Sequence, residues 1–282
     1  MKGKSKPADA GTPVEKTGFG PLLEGMADKY GYDFRDYARA GLNNRIKAFM
    51  NAEAITTVGE LTDRILGEPG CMRRFLATMS MGTTSMFWDR EFYAGFRKEI
   101  IPALRTFPFI RIWHAGCSTG QEAYSMAVLM QEEGLYERCR IYGTDIDDAA
   151  LRRAKEGIFS LRAMRRCTSN YIAAGGRAAF SDYYTARYEN AIIASGLRKN
   201  IVFANHNLVS DGSFNEFHVI ICRNVLTLFN ERLRQKVHRL FHESMAMFGY
   251  LALGPKDSLL AGGLADAYSE ANALNNMYRK IA

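Results

Sequence analysis

The residues best able to do chemistry form the run Trp113-His114-Ala115-Gly116-Cys117-Ser118-Thr119-Gly120-Gln121-Glu122. A β-branched and aromatic stretch enters it, small residues make a turn, and a helical pattern leaves it. Small residues let a ligand approach the backbone, and the first turn of a helix offers unpaired N–H groups. On its own such a turn is also explained by tight strand-to-helix packing. A second strand ends at Asp145, next to Ile146, where an acidic side chain can accept hydrogen bonds from both hydroxyls of a ribose. A third strand ends at Asn205-His206-Asn207-Leu208 and a fourth at Cys222-Arg223-Asn224. Each Asn alone reads equally as a turn or helix cap. Together, four strands deliver polar residues to the carboxyl edge of one sheet, where open α/β sheets bind ligands, so a nucleoside site is expected. His114 and His206 lie near these ends and read as structural histidines with satisfied ring nitrogens.

Those strand ends need a parallel sheet to bring them together, and the chain has the alternation that builds one. IRIWHAG is followed by a helical pattern over 119–133, then RIYGTDID and a helical pattern over 147–155. NIVFANHN, FHVIICRN, an amphipathic stretch over 230–247 and YLALG continue the series. A tyrosine-rich segment over about 171–198 interrupts it and reads as a small β insertion. Ahead of the sheet lies a helical domain over 18–78. Leu22, Leu23, Met26, Ala27 and Tyr30 have helical spacing, Gly31 is a stop, and three further helices are expected over 35–50, 58–66 and 71–78, with Pro69 as breaker. Residues 79–90 link the two domains and 91–282 form the sheet domain. Residues 1–17 carry almost no large apolar side chains and read as a disordered leader.

Composition excludes several classes. With 47% hydrophobic and 24% charged residues, the 282-residue chain is globular rather than collagen-like or disordered. No apolar run approaches the roughly 20 residues of a membrane span and no signal-peptide core is evident, so a cytoplasmic protein without membrane insertion is expected. Five scattered cysteines without a CxxC pair indicate neither a disulfide framework nor a zinc site, and no metal is expected. The net charge of +7 can attract nucleic acid, anionic lipid or an acidic protein, and charge alone does not choose among them. The basic residues form no arm or RNA-binding signature, so nucleic acid is not expected, and a monomer is.

GCSTGQEAYSMA, YGTDID, NHNL and ICRNVL, preceded by KYGYDFRDYARA, resemble the chemotaxis-receptor methyltransferases, the CheR family, over residues 19–281. The resemblance implies an α/β fold, with a small all-helical N-terminal domain before a Rossmann-like class I SAM-methyltransferase sheet. It implies S-adenosylmethionine (SAM) as cofactor, S-adenosylhomocysteine as product, and glutamate side chains of a chemoreceptor cytoplasmic helical bundle as acceptors. By position it gives cofactor contacts to Thr84, Glu122, Asp145, Asn207, Leu208, Arg223 and Asn224. Trp88, Ala115, Gly116 and Ile146 complete the expected set. A basic docking face of Arg35, Arg39, Arg45 and Lys47 suits an acidic receptor.

The chain departs from the family pattern on the acceptor side. Gly82 replaces an Asn, Trp88 an Arg beside the methyl-transfer centre, and Leu228 a Tyr. Pro255 and Asp257 stand where Ser and Glu are usual. Trp88 and Leu228 are therefore the acceptor-side catalytic candidates. An indole lacks the charged fork of arginine, but its face can lie against a sulfonium cation; alternatively, Arg90 substitutes for the lost arginine after a local shift. Glutamate methylation is the first reading. The alternatives are a repurposed SAM enzyme acting on a small molecule or on SAM itself, and a non-catalytic SAM-binding module.

Overall fold

A computed structural model describes residues 18–80, 85–257, 259 and 264–282. The expected leader over 1–17, Gly82 and Thr84 lie outside the described residues.

Four helices come first: α1 (Gly20–Tyr30), α2 (Arg39–Ala52), α3 (Val58–Gly67) and α4 (Pro69–Ser80). Leu22 and Met26 bury one face of α1, and Gly31 ends it at φ 74°, a left-handed conformation that glycine adopts without a Cβ penalty. Thr57 caps α3 by accepting from the Glu60 amide at 3.2 Å. Pro69 opens α4 rather than breaking a helix, since a first-turn residue needs no N–H partner. Helix α2 begins at Arg39, not near Arg35, because Asp33 accepts from the Arg35 backbone amide at 3.0 Å and holds its guanidinium in the preceding turn.

The remainder runs α5 (Arg90–Gly95), a π turn (Phe96–Ile100), α6 (Ile101–Leu104), β1 (Ile110–Ala115), α7 (Gln121–Glu132), β2 (Cys139–Asp145) and α8 (Asp148–Glu156). Then follow β3 (Ile158–Ser160), α9 (Leu161–Ala173), β4 (Tyr184–Arg187), β5 (Asn190–Ile193), α10 (Ser195–Arg198) and β6 (Ile201–Asn205). The last elements are β7 (Phe217–Cys222), α11 (Glu231–Glu243), β8 (Met245–Leu253), β9 (Tyr268–Asn272) and β10 (Met277–Lys280). Helix α11 stops short of the helix expected to reach residue 247. The apolar run after it is claimed by strand pairing, parallel to β7 and antiparallel to β10.

The main sheet has the order β6-β2-β1-β7-β8-β10-β9, its first five strands parallel. The chain leaves β1 toward β2 and later returns to β7 on the other side. The ends of β1 and β7 therefore flank a topological switch point, the crevice where such sheets bind ligands. A second antiparallel sheet, β3-β5-β4, takes its first strand from 158–160, ahead of the segment read as the insertion.

Alternation along β1 separates two cores. Ile110 and Ile112 face a cluster with α7, α9 and the small sheet, whereas Trp113 and Ala115 face one that contains α11 and the helical domain. Leu22, Phe34 and Phe75 thus share a core with Phe217, Ile220 and Phe241. The helical domain is packed onto the sheet, and the crevice at the switch point acquires a wall from each domain.

Candidate functional site

A cavity of about 360 Å³ opens at the switch point, between the carboxyl ends of the strands and the helical domain. Gly116, Asp145, Ile146, Asn207, Leu208, Arg223, Asn224 and Leu228 line it, so the strand ends singled out in the sequence converge. Ala115, Glu122 and Trp88 lie outside this lining: Ala115 is packed in the core shared with the helical domain, and Glu122 and Trp88 meet around Arg223.

Asp145 knits the two central strand ends together. Its Oδ2 accepts from the Ser118 amide at 2.8 Å and its Oδ1 from the Asp147 amide at 3.0 Å. A carboxylate offers about four acceptor sites, so the same group can also take ribose hydroxyls. Gly116 has φ 75°, and a Cβ there would overlap Val225 Cγ2. Its bareness serves packing between the β1 and β7 turns as well as an open backbone. Asn224 also sits at positive φ, 62°, turning the chain out of β7. Asn207 Oδ1 accepts from the Val209 amide at 2.9 Å, so its side chain shapes the turn after β6.

Behind the cavity, Arg223 is buried and caged. Its guanidinium carbon lies 4.1 Å from the Phe92 ring centroid and 4.6 Å from that of Trp88. Asp89 pairs with its Nη2, and Glu122 Oε1 stands 3.9 Å from Nη1. Trp88 Nε1 donates to Glu122 Oε1. Burial pushes the Glu122 carboxyl up, against the opposing pull of Arg223 and the indole N–H. The cation lying on the Trp88 ring is therefore Arg223. Arg90 bridges Glu91 on the surface and supplies no charge here, which removes it as a replacement for the missing arginine.

The two histidines differ. His206 meets the expectation only in part: its Nε2 is 3.0 Å from Gly212 O, its buried Nδ1 has no hydrogen-bond partner among the described residues, and the residue also lines the cavity. His114 departs from expectation: it is buried, and neither ring nitrogen has a hydrogen-bond partner among the described residues. Burial, helped by Arg223, lowers its pKa to about 3, so it stays neutral.

Sequence reasoning missed Tyr37, Arg45 and Met79, which wall the cavity from the helical domain, and Phe229, on which Tyr37 packs. Tyr37 belongs to the KYGYDFRDYARA stretch, but no local periodicity shows that it faces another domain. Arg45 is expected on the basic docking face. Its Nη1 instead donates to Thr78 O at 2.7 Å and Met79 O at 2.9 Å, satisfying terminal carbonyls of α4.

Residues 82–273 match the family model described as the CheR methyltransferase SAM-binding domain, and residues 17–80 the CheR methyltransferase all-alpha domain. This chain belongs to the CheR methyltransferase family. The Pseudomonas putida protein Cher3 is 43% identical over 259 residues, covering 92% of this chain and 95% of that one. The chemotaxis protein methyltransferase of Listeria monocytogenes is 27% identical over 235 residues, 82% of this chain and 86% of its own. Chemotaxis protein methyltransferase 1 of Pseudomonas aeruginosa is 28% identical over 244 residues, 80% and 84% respectively. As a CheR-family enzyme the chain is a SAM-dependent methyltransferase, and this membership supports methyl transfer over the repurposed and non-catalytic alternatives. The cavity fits the cofactor: an acidic strand end for a ribose, aliphatic walls from Ile146, Leu208 and Val209 for a base, and a switch-point location. No described helix is long and apolar enough to cross a membrane.

Proposed function

We propose that this CheR-family chain methylates glutamate side chains on the cytoplasmic helical bundle of a chemoreceptor. One observation carries the reading. Tyr37 lines both the cofactor cavity and a neighbouring groove of about 520 Å³ on the helical domain, whose walls include Arg35, Arg39 and Lys47. Tyr37 is the lining residue the two spaces share, so an acidic helix lying in that groove sits beside the cavity. The relatives named as chemotaxis protein methyltransferases support the same acceptor class.

When bound, SAM supplies an electrophilic methyl group carried on a sulfonium. The residues of this chain bind, orient and exclude water. In this reading Asp145 takes the ribose hydroxyls, Ile146 and Leu208 flank the base with Asn207 shaping the turn beside it, and the Gly116 and Asn224 turns give backbone access. Arg223 and Glu122 set the charge at the far end, and Met79 and Leu228 keep the acceptor side apolar. A glutamate acceptor is already ionised at neutral pH, so the chemistry needs position and dryness rather than a general base. Neutral, buried His114 and tethered His206 accord with that.

The test is mass spectrometry of SAM and of a chemoreceptor cytoplasmic fragment after incubation with the full chain. S-adenosylhomocysteine formed only with the fragment, together with methyl esters on its glutamates, is expected. SAM turnover that leaves every receptor glutamate unesterified would overturn the acceptor assignment. Replacing Arg39 and Lys47 by Glu should abolish ester formation while leaving SAM affinity unchanged.

A further inference from the structure

Trp88 touches both members of a buried charge pair. Its Nε1–H donates to the Glu122 carboxylate, while its ring face carries the Arg223 guanidinium at 4.6 Å. Glu122 and Arg223 themselves stand 3.9 Å apart. One side chain thus gives a hydrogen bond to the anion and a π face to the cation, which an arginine at this position could not do. A guanidinium there would repel Arg223 and compete with it for Glu122.

The rest of the cage comes from the same stretch of chain. Asp89 caps α5 by accepting from the Phe92 amide at 3.1 Å, and it also pairs with Arg223 Nη2. Phe92 covers the guanidinium at 4.1 Å. Residues 88–92 therefore hold Arg223 through two rings and a carboxylate, with its side chain only 2% exposed. Of this group only Arg223 reaches the cavity lining. Arg223 is thus the link between Trp88 and the cavity.

We infer that Trp88 is a positioning residue for cofactor binding: its indole fixes Arg223 and Glu122 against each other at the inner end of the cavity. This rests on the reading above, in which Arg223 and Glu122 set the charge at the far end of the cofactor site. It differs from an indole lying directly on the sulfonium, and the two roles separate experimentally. A residue that positions Arg223 and Glu122 acts on the parts that SAM and S-adenosylhomocysteine share. A residue that cradles the sulfonium acts on SAM alone, because the homocysteine sulfur is uncharged.

The experiment measures the dissociation constants of SAM and of S-adenosylhomocysteine by calorimetry for the full chain and for Trp88→Phe, Trp88→Leu and Asp145→Asn, with the melting midpoint of each. Trp88→Phe keeps a ring for Arg223 and loses the N–H, so it should weaken both ligands by about 3-fold, and Trp88→Leu, which loses both, by about 10-fold or more. The graded order Trp, Phe, Leu, shared by both ligands, is the expected signature. Weakening of SAM alone would assign the indole to the sulfonium and overturn the inference. Unchanged affinities with a lowered melting midpoint would reduce Trp88 to a packing residue and overturn it as well. If Trp88→Leu fails to fold, the ring-retaining Phe variant decides between these outcomes. Asp145→Asn separates the levels: if it destroys binding while the Trp88 variants bind normally, the cofactor site stands and this inference falls. If neither position matters, the cofactor reading itself fails.

Discussion

Tyr37 and Phe229 form the seam between the helical domain and the sheet. Their rings meet edge to face with centroids 5.0 Å apart, and their backbones form an isolated antiparallel bridge. The Ala38 amide donates to Leu228 O at 2.8 Å and the Asn230 amide to Asp36 O at 2.9 Å, one on each side of the pair. Tyr37 and Phe229 also wall the cavity at the strand ends, so the packing of the two domains shapes it.

Phe229→Ala should therefore act on both. Phe229 is buried, and truncating a buried phenylalanine costs about 3–5 kcal/mol. Urea unfolding should show that loss, and SAM should bind more weakly at temperatures where the variant is folded. Phe229→Leu keeps most of the bulk and gives up the edge contact, at about 0.5–1.5 kcal/mol. Equal stability of the Ala variant and the parent would refute the seam.

Asp145→Asn replaces a carboxylate that accepts two backbone amides. An amide group keeps one acceptor oxygen and turns an NH₂ toward a donor. Hydrogen bonds to a charged acceptor are worth about 1.5–3 kcal/mol, so SAM affinity measured by calorimetry should fall by at least about 10-fold. An affinity within a factor of two of the parent would remove Asp145 from the site.

Gly116→Ala meets two obstacles, a φ of 75° and the Val225 side chain. The left-handed conformation costs about 1–2 kcal/mol and the overlap about 1–3 kcal/mol more. Adding Val225→Ala should restore the steric part and leave the backbone part, so the double variant should recover roughly half the lost stability in urea melts. Failure of Val225→Ala to recover anything would place the cost wholly in the backbone.

Asp257 gives a pH dependence whose sign can be worked out. Burial raises its carboxyl from 3.8 to about 6, while the Gly254 amide, donating at 3.1 Å, pulls the other way. Between those values the folded chain binds more protons at this group than the unfolded chain does. Its contribution to stability is therefore fully present below pH 3.8 and declines as pH rises to about 6. Asp257→Asn should flatten the stability profile across that window relative to the parent and gain stability at neutral pH. Parallel profiles for the two proteins would show that Asp257 does not carry the effect.

The strand ends were legible because each is a local event. Gly116, Asp145, Asn207 and Arg223 follow recognisable β runs, and the alternation of strands with helices requires a parallel sheet that lines up their carboxyl ends. The helix stop at Gly31 was legible for the same reason, resting on one residue's backbone freedom. By contrast, the end of α11 was misplaced because Met245–Leu253 is a strand only by virtue of β7 and β10 beside it.

What the sequence determined by itself is the family, the strand-turn-helix units and the polar residues at their ends. Only the tertiary structure decided how those residues are paired. It brought Tyr37 across from the helical domain to Phe229, turned Arg45 inward onto the α4 carbonyls, and left His114 buried and neutral. It also laid Trp88 between Glu122 and Arg223, residues 34 and 135 positions further along the chain. Periodicity reports which face of its own element a residue occupies. It carries no information about which distant element that face will meet, and at Trp88 that meeting is what gives the substitution its role.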